Sequence, residues 1–135
     1  MRKMLHGLIT AAILATASSA MAGDESGEAG LDRLIKGRVA GQPVACINAG
    51  RIRGIQIIDR TAIIYRMSNG QIYVNRPALG AANLSSDAVI NTTAIQGPLC
   101  SNEFVTFYDQ GGMGMRGVAA SVAMGPFVPY ALAQR

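Results

Sequence analysis

Few residues in this 135-residue chain could do chemistry, and the most suggestive is a glycine run in "DQGGMGMRG", Asp109 to Gly117. Gly112, Gly114 and Gly117 spell G-x-G-x-x-G directly after "FVTFYD", a segment with the composition of a β-strand. In a dinucleotide-binding unit that turn opens a helix toward the pyrophosphate. A parallel strand follows, and an acidic residue lies about 20 positions on. Only 18 residues follow Gly117, none is Asp or Glu, and Gly125-Pro126 interrupts any helix among them. The run is therefore expected to be a loop between antiparallel strands, with no NAD or FAD and no other cofactor. Met113 and Met115 in the same loop are soft ligands suited to Cu(I), but two thioethers are too few for a site, and no metal is expected. Gly112, Met113, Gly114 and Met115 remain a candidate binding surface.

The other chemistries are narrower still. The single histidine is His6 and there is no Trp, so a histidine general base or a Ser-His-Asp nucleophile has no residues to build it once the N-terminus is removed. Beyond residue 40 the carboxylates are Asp59, Asp87, Glu103 and Asp109. A hydrolytic pair needs two of them at a fixed separation in a cleft, for which so short a chain has little room. Arg51, Arg53, Arg60, Arg66 and Arg76 cluster in sequence, and they form either a solvated surface or a cationic face for an anionic envelope component. Arg51 and Arg53 are the candidate binding residues of that face.

The N-terminus sets the compartment. Arg2 and Lys3 precede an uncharged 13-residue stretch, Leu8 to Ala20, and Ala20-Met21-Ala22 offers small residues at a cleavage site. Residues 1–22 are read as a signal peptide, and the mature chain as a periplasmic protein with no transmembrane segment. Removing residues 1–22 takes Arg2 and Lys3 away, so 12 basic residues become 10 against 8 acidic ones, and no nucleic-acid partner is implied. Export also bears on the two cysteines, Cys46 and Cys100, which lie in no C-x-x-C and near no histidine. A disulfide is their simplest use in an oxidising compartment, the alternatives being two buried thiols or an intermolecular bridge.

The elements that must position these residues form one domain. Residues 23–30, "GDESGEAG", are acidic and glycine-rich and are expected to be a flexible leader. Residues 31–130 are the domain and 131–135 a tail. Leu31, Leu34, Ile35 and Val39 make one apolar stripe of a short amphipathic helix, ended by Gly41 before Pro43. Strands are predicted at "RGIQIID", "TAIIYRM", "QIYVNR", "AVINTTA", "EFVTFYD" and "GVAASVAM". Asn69-Gly70 predicts a type I′ hairpin turn. In the third strand Ile72 and Val74 mark the buried face. The fold class is mostly β: a small single-domain barrel or sandwich of about six short antiparallel strands with a short N-terminal amphipathic helix.

Taken together, "GRVAGQPVACI", "IIDRTAIIYR", "IYVNRP", Leu99-Cys100 and "MGPFVPY" resemble a family of small exported proteins of sphingomonad-type proteobacteria with no assigned function. The resemblance spans about residues 31–130. It implies an acidic residue three positions after the second cysteine, where Glu103 stands. It also implies that the second cysteine pair of some relatives is missing here, around Ala81-Ala82 and Val122. No activity comes with it. The expected function is a binding module, not an enzyme, contacting an envelope protein or an anionic envelope component. A hydrolase inhibitor presenting the Asp109–Gly117 loop is an alternative within the same class, and a carboxylate-based hydrolase is an alternative outside it.

Overall fold

The computed structural model describes residues 25–90, 96–109 and 118–134. One helix, α1 (Glu25–Ile35), precedes ten strands. These are β1 (Arg38–Ala40), β2 (Cys46–Asn48), β3 (Ile52–Ile58), β4 (Ala62–Met67), β5 (Ile72–Asn75), β6 (Ala88–Ile90), β7 (Pro98–Cys100), β8 (Phe104–Asp109), β9 (Val118–Ala123) and β10 (Phe127–Leu132). They pair antiparallel in three sheets: β1-β10-β5-β4-β3, β2-β7 and β6-β8-β9. The sheets do not close into a barrel. They pack as a sandwich, with α1 laid on the outer face of the largest sheet.

Side-chain alternation along β4 explains the layering. Ala62 and Ile64 point to one side, where they meet Leu31 of α1 with Ile72 and Val74 of β5. Ile63, Tyr65 and Met67 point to the other, into a core shared with Ile47, Leu99, Ile90, Val105, Phe107, Val122 and Phe127 from all three sheets. That second core is centred on Tyr65 and Phe127, whose rings meet edge to face at 5.7 Å. A polar clamp holds the sandwich beside it. Asn75 is fully buried and its amide donates to the carbonyl of Gly125 (2.7 Å) and accepts from the Gly125 N–H (3.0 Å). No side chain fits at position 125, because a Cβ there would collide with the backbone carbonyl of Arg76.

The mostly β class, the antiparallel pairing and the short helix stand as the sequence predicts, and each of the six predicted segments contains a strand. Several details differ. The helix begins at Glu25, so residues 25–30 of the expected leader are its first turns; Gly23 and Asp24 lie outside the described residues. Glu28 suits the positive end of a helix, and Gly27 lets the first turn press onto Thr61 at the β3–β4 turn. The helix ends at Ile35 rather than near Gly41, because Gly37 adopts a left-handed φ of 76°. Val39 consequently sits on β1 and is exposed rather than on a buried helical stripe.

The Asn69-Gly70 turn is not type I′. Gly70 alone has a positive φ, 82°, and its N–H bonds to the Met67 carbonyl while the Met67 N–H bonds to Gln71, a three-residue loop. Nor are Ala131 and Leu132 part of a separate tail, since they pair with Val39 and Arg38. Pro129 is tolerated inside β10 for a geometric reason. Its carbonyl accepts from Gly41 just beyond the end of β1, so its backbone points away from β5 and the missing N–H costs the β10–β5 ladder nothing.

Candidate functional site

Hydrogen-bond direction identifies where this fold is open. The Met67 N–H and carbonyl both serve the β4–β5 turn, so Met67 faces β5 and, by alternation, Arg66, Ile64 and Ala62 face β3. Their register partners Gly54, Gln56 and Ile58 therefore face β4. Bonds from Ser68 N–H to Arg51 and from Thr61 N–H to Ile58 close the ladder at its ends. The backbone groups of Ile55 and Ile57 consequently point away from β4, along the edge of the five-stranded sheet. On β6 the Ala88 N–H bonds to Ser85, so Val89 faces β8 and Ile90 faces outward, along the edge of the three-stranded sheet.

These two edges face each other across a groove of about 750 Å³. Ile55, Ile57 and Ile90 supply its apolar surface, Gln56 and Ser86 polar groups, and Arg53 is the one charged residue among the described residues lining it. The Arg53 guanidinium donates to the carbonyls of Gly50 (3.3 Å) and Ile52 (3.4 Å), which holds it at the start of β3. Arg51 ends the short 3₁₀ turn Ala49–Arg51 immediately before. Of the two candidate binding arginines, Arg53 lines the groove and Arg51 does not. Of the other arginines in that stretch, Arg66 donates to the groove-lining Gln56 (2.9 Å), Arg60 occupies the β3–β4 turn with φ 51°, and Arg76 makes a two-point contact with Glu28 of α1 (2.6 and 3.0 Å). That contact holds the Glu28 carboxyl below its ordinary pKa, chiefly through the hydrogen bonds from Arg76.

The glycine run and its methionines, Gly112 to Met115, lie outside the described residues. What flanks them is clear. β8 before and β9 after are antiparallel partners, with Tyr108 opposite Val118, whereas a dinucleotide-binding turn joins a strand to a helix and then a parallel strand.

The carboxylates divide in an unexpected way. Asp59 and Asp87 line one concavity of about 430 Å³ together with Ser26, Arg60, Asn83 and Ser85, although the sequence suggested little room for a cleft. Within it the Asp59 carboxylate accepts from the Ser86 N–H, and the Asp59 carbonyl accepts from the Thr61 hydroxyl (2.8 Å). Glu103 stands apart, its carboxylate accepting from the Cys100 N–H (3.0 Å) in the turn that leads into β8. Asp109 ends β8 opposite Ala88.

Cys46 and Cys100 are joined in a disulfide, and they are direct cross-strand partners in the β2–β7 pair. Ile47 and Leu99, between them on the other face, are buried in the sandwich core. The bridge therefore lies on the outer face of a two-stranded clasp. Tyr65 was visible in the sequence only as an apolar strand residue, yet its hydroxyl is buried with no hydrogen-bond partner among the described residues, and burial raises its pKa. No family model, curated protein or solved structure matches the chain.

Proposed function

We propose that this chain is an exported, periplasmic binding module that contacts another envelope protein at the groove between β3 and β6. The observation that carries the reading is the groove itself: an apolar strip bounded by two strand edges whose backbone groups are unpaired among the described residues. Edges of this kind are a liability unless covered, and a binding partner is one way of covering them. The N-terminal pattern of Arg2, Lys3, an apolar run and Ala20-Met21-Ala22 supports export. A disulfide agrees with an oxidising compartment, and no helix among the described residues is long and apolar enough to cross a membrane. In-cell crosslinking followed by affinity capture from the periplasm should recover a partner through photo-crosslinkers placed at Gln56 and Val89 but not through one at Lys36. Equal recovery at all three positions would remove the groove from the proposal, and recovery at none would remove the binding role.

The Asp59 and Asp87 concavity favours a second reading, hydrolysis by a carboxylate pair. Turnover of glycoside or ester substrates that is lost in Asp87→Asn would establish it. Absence of turnover across a broad substrate panel would set it aside.

A further inference from the structure

We propose that the groove between β3 and β6 accepts an extended peptide segment of a protein partner as an added β-strand, with alternate apolar residues turned inward and an acidic residue beside Arg53. This deepens the binding-module reading and rests on it. Three observations converge on a strand rather than on a helix or a folded surface.

The first is hydrogen bonding. Ile55 and Ile57 on one side and Ile90 on the other present backbone N–H and carbonyl groups that no described residue satisfies in the ladder. Their spacing is that of every second residue in a strand, which only another extended backbone can match along its length. A helix keeps its own backbone bonds and would leave these groups desolvated and unpaired.

The second is size. A strand residue occupies about 160 Å³ from its rise, the spacing between strands and the spacing between sheets. A groove of about 750 Å³ thus has room for roughly five residues. β3 is seven residues long, enough to hold such a segment along its whole length.

The third is chemistry across and along the groove. Ile55 and Ile57 share the face that points into the sandwich core, so residues of an added strand in line with them would cover apolar surface. The rim is cationic at the start of β3, while Asp59 and Asp87 lie at the other end beside Ser86. Arg53 lines the groove, Arg51 is next to it in the preceding turn, and no carboxylate lines the groove among the described residues. An acidic residue flanking the apolar segment is the complement of that cationic end.

The probe is a synthetic seven-residue peptide, acetyl-Asp-Val-Thr-Val-Thr-Val-Asp-amide, titrated by fluorescence polarisation against the full mature chain. Saturable micromolar binding is expected. N-methylation of the amides that face β3, where Ile55 and Ile57 both offer backbone groups, should weaken it at least tenfold, and methylation of the set that faces β6, where Ile90 alone does, should weaken it less. A lysine-flanked version should bind several-fold more weakly to the native chain and more tightly than the aspartate version to Arg53→Glu. Arg53 is exposed and its side chain bonds only to nearby carbonyls, so this variant leaves the fold in place. Equal binding of both N-methylated sets, or flank preferences unchanged in Arg53→Glu, would overturn the proposal. If an envelope partner is captured but the peptide neither binds nor competes with it, strand addition is wrong and the binding-module reading survives. If there is neither capture nor peptide binding, both fall.

Discussion

β3 and β4 are neighbours in one sheet and both are rich in isoleucine, yet one is enclosed on every side and the other is not. β4 has a strand on each flank, α1 over one face and the second core over the other, and five of its six residues are buried. β3 has β4 on one flank only, and of its seven residues Ile57 alone is buried. Residue type does not make this difference. It comes from position in the sheet: β4 lies between β3 and β5, and α1 and the core from the other sheets cover its two faces, while nothing described lies beyond β3. A strand's burial is thus decided by partners distant in sequence, and the fold's open side is wherever those partners stop.

The harshest test of the enclosed half is to cut its covalent tie. Reduction, or Cys46→Ser, should destabilise the domain by about 4 kcal/mol in the chain-entropy model, given the separation of 54 residues between the cysteines. Thermal unfolding with and without reductant measures this. A change in melting temperature of only a few degrees would show that the β2–β7 pairing and its buried Ile47 and Leu99 hold the closure without the bond.

A proline scan along β3 tests the difference between its two flanks directly. Gln56→Pro removes an N–H directed at β4 and leaves the facing Ile64 without its ladder donor, which should cost about 1–3 kcal/mol. Ile55→Pro removes an N–H directed into the groove, so it should cost clearly less, its penalty being mainly the lost packing of a partly buried side chain. Urea unfolding of both variants gives the comparison. Equal costs would mean that the groove side of β3 is already paired, and the open edge would be lost along with the proposals built on it.

How much of this was legible in the sequence follows the same line. β3, β4 and β5 could be read because each is a run of β-formers bounded by local turn signals at Asp59-Arg60 and Asn69-Gly70. The disulfide was legible from the count of cysteines and the export pattern. β1, β2 and β7 were not, since each is only three residues long and owes its strand conformation to a distant partner rather than to its own composition. β10 was hidden by Pro129, whose missing donor matters only if the flanking strand extends past it. The helix was misplaced at both ends because Gly37 was counted as an interior residue and the acidic glycine-rich start as a leader. Of the candidate surface, Arg51 and Arg53 could be named, but the groove beside them could not. Which strand is an edge depends on sheet order, and sheet order is set by contacts that no local pattern encodes.

The enclosed core also contains a polar group. The Tyr65 hydroxyl is buried with no hydrogen-bond partner among the described residues, so Tyr65→Phe should leave the packing against Phe127 intact and be neutral or stabilising, by up to about 1–3 kcal/mol. Chemical denaturation decides it. A clear loss of stability would mean that the hydroxyl has a partner, such as an ordered water between the two layers, and that the core is wetter at its centre than its side chains suggest.

The smallest effect expected lies on the outer layer, where Glu28 ties α1 to Arg76 after β5. Both side chains are about half exposed, 48% and 55%, so solvent screens the pair and Glu28→Gln should cost no more than about 1 kcal/mol at neutral pH and low salt. The sign of its pH dependence is fixed by the direction of the shift. The carboxyl's pKa is lowered in the folded state, mainly by the hydrogen bonds from Arg76, so the unfolded chain takes up the proton first as pH falls. The contribution is therefore fully present above the ordinary value near 4.5 and disappears as pH drops through the folded value below it. Other carboxylates titrate in the same range, which is why the quantity to measure is the difference between native and Glu28→Gln urea midpoints at pH 7 and again near pH 3. That difference should shrink toward zero in acid and also in high salt. If it persists in both, Glu28 stabilises the helix through something other than the ion pair, and α1 is held on the sheet by Leu31 and the close approach at Gly27 rather than by charge.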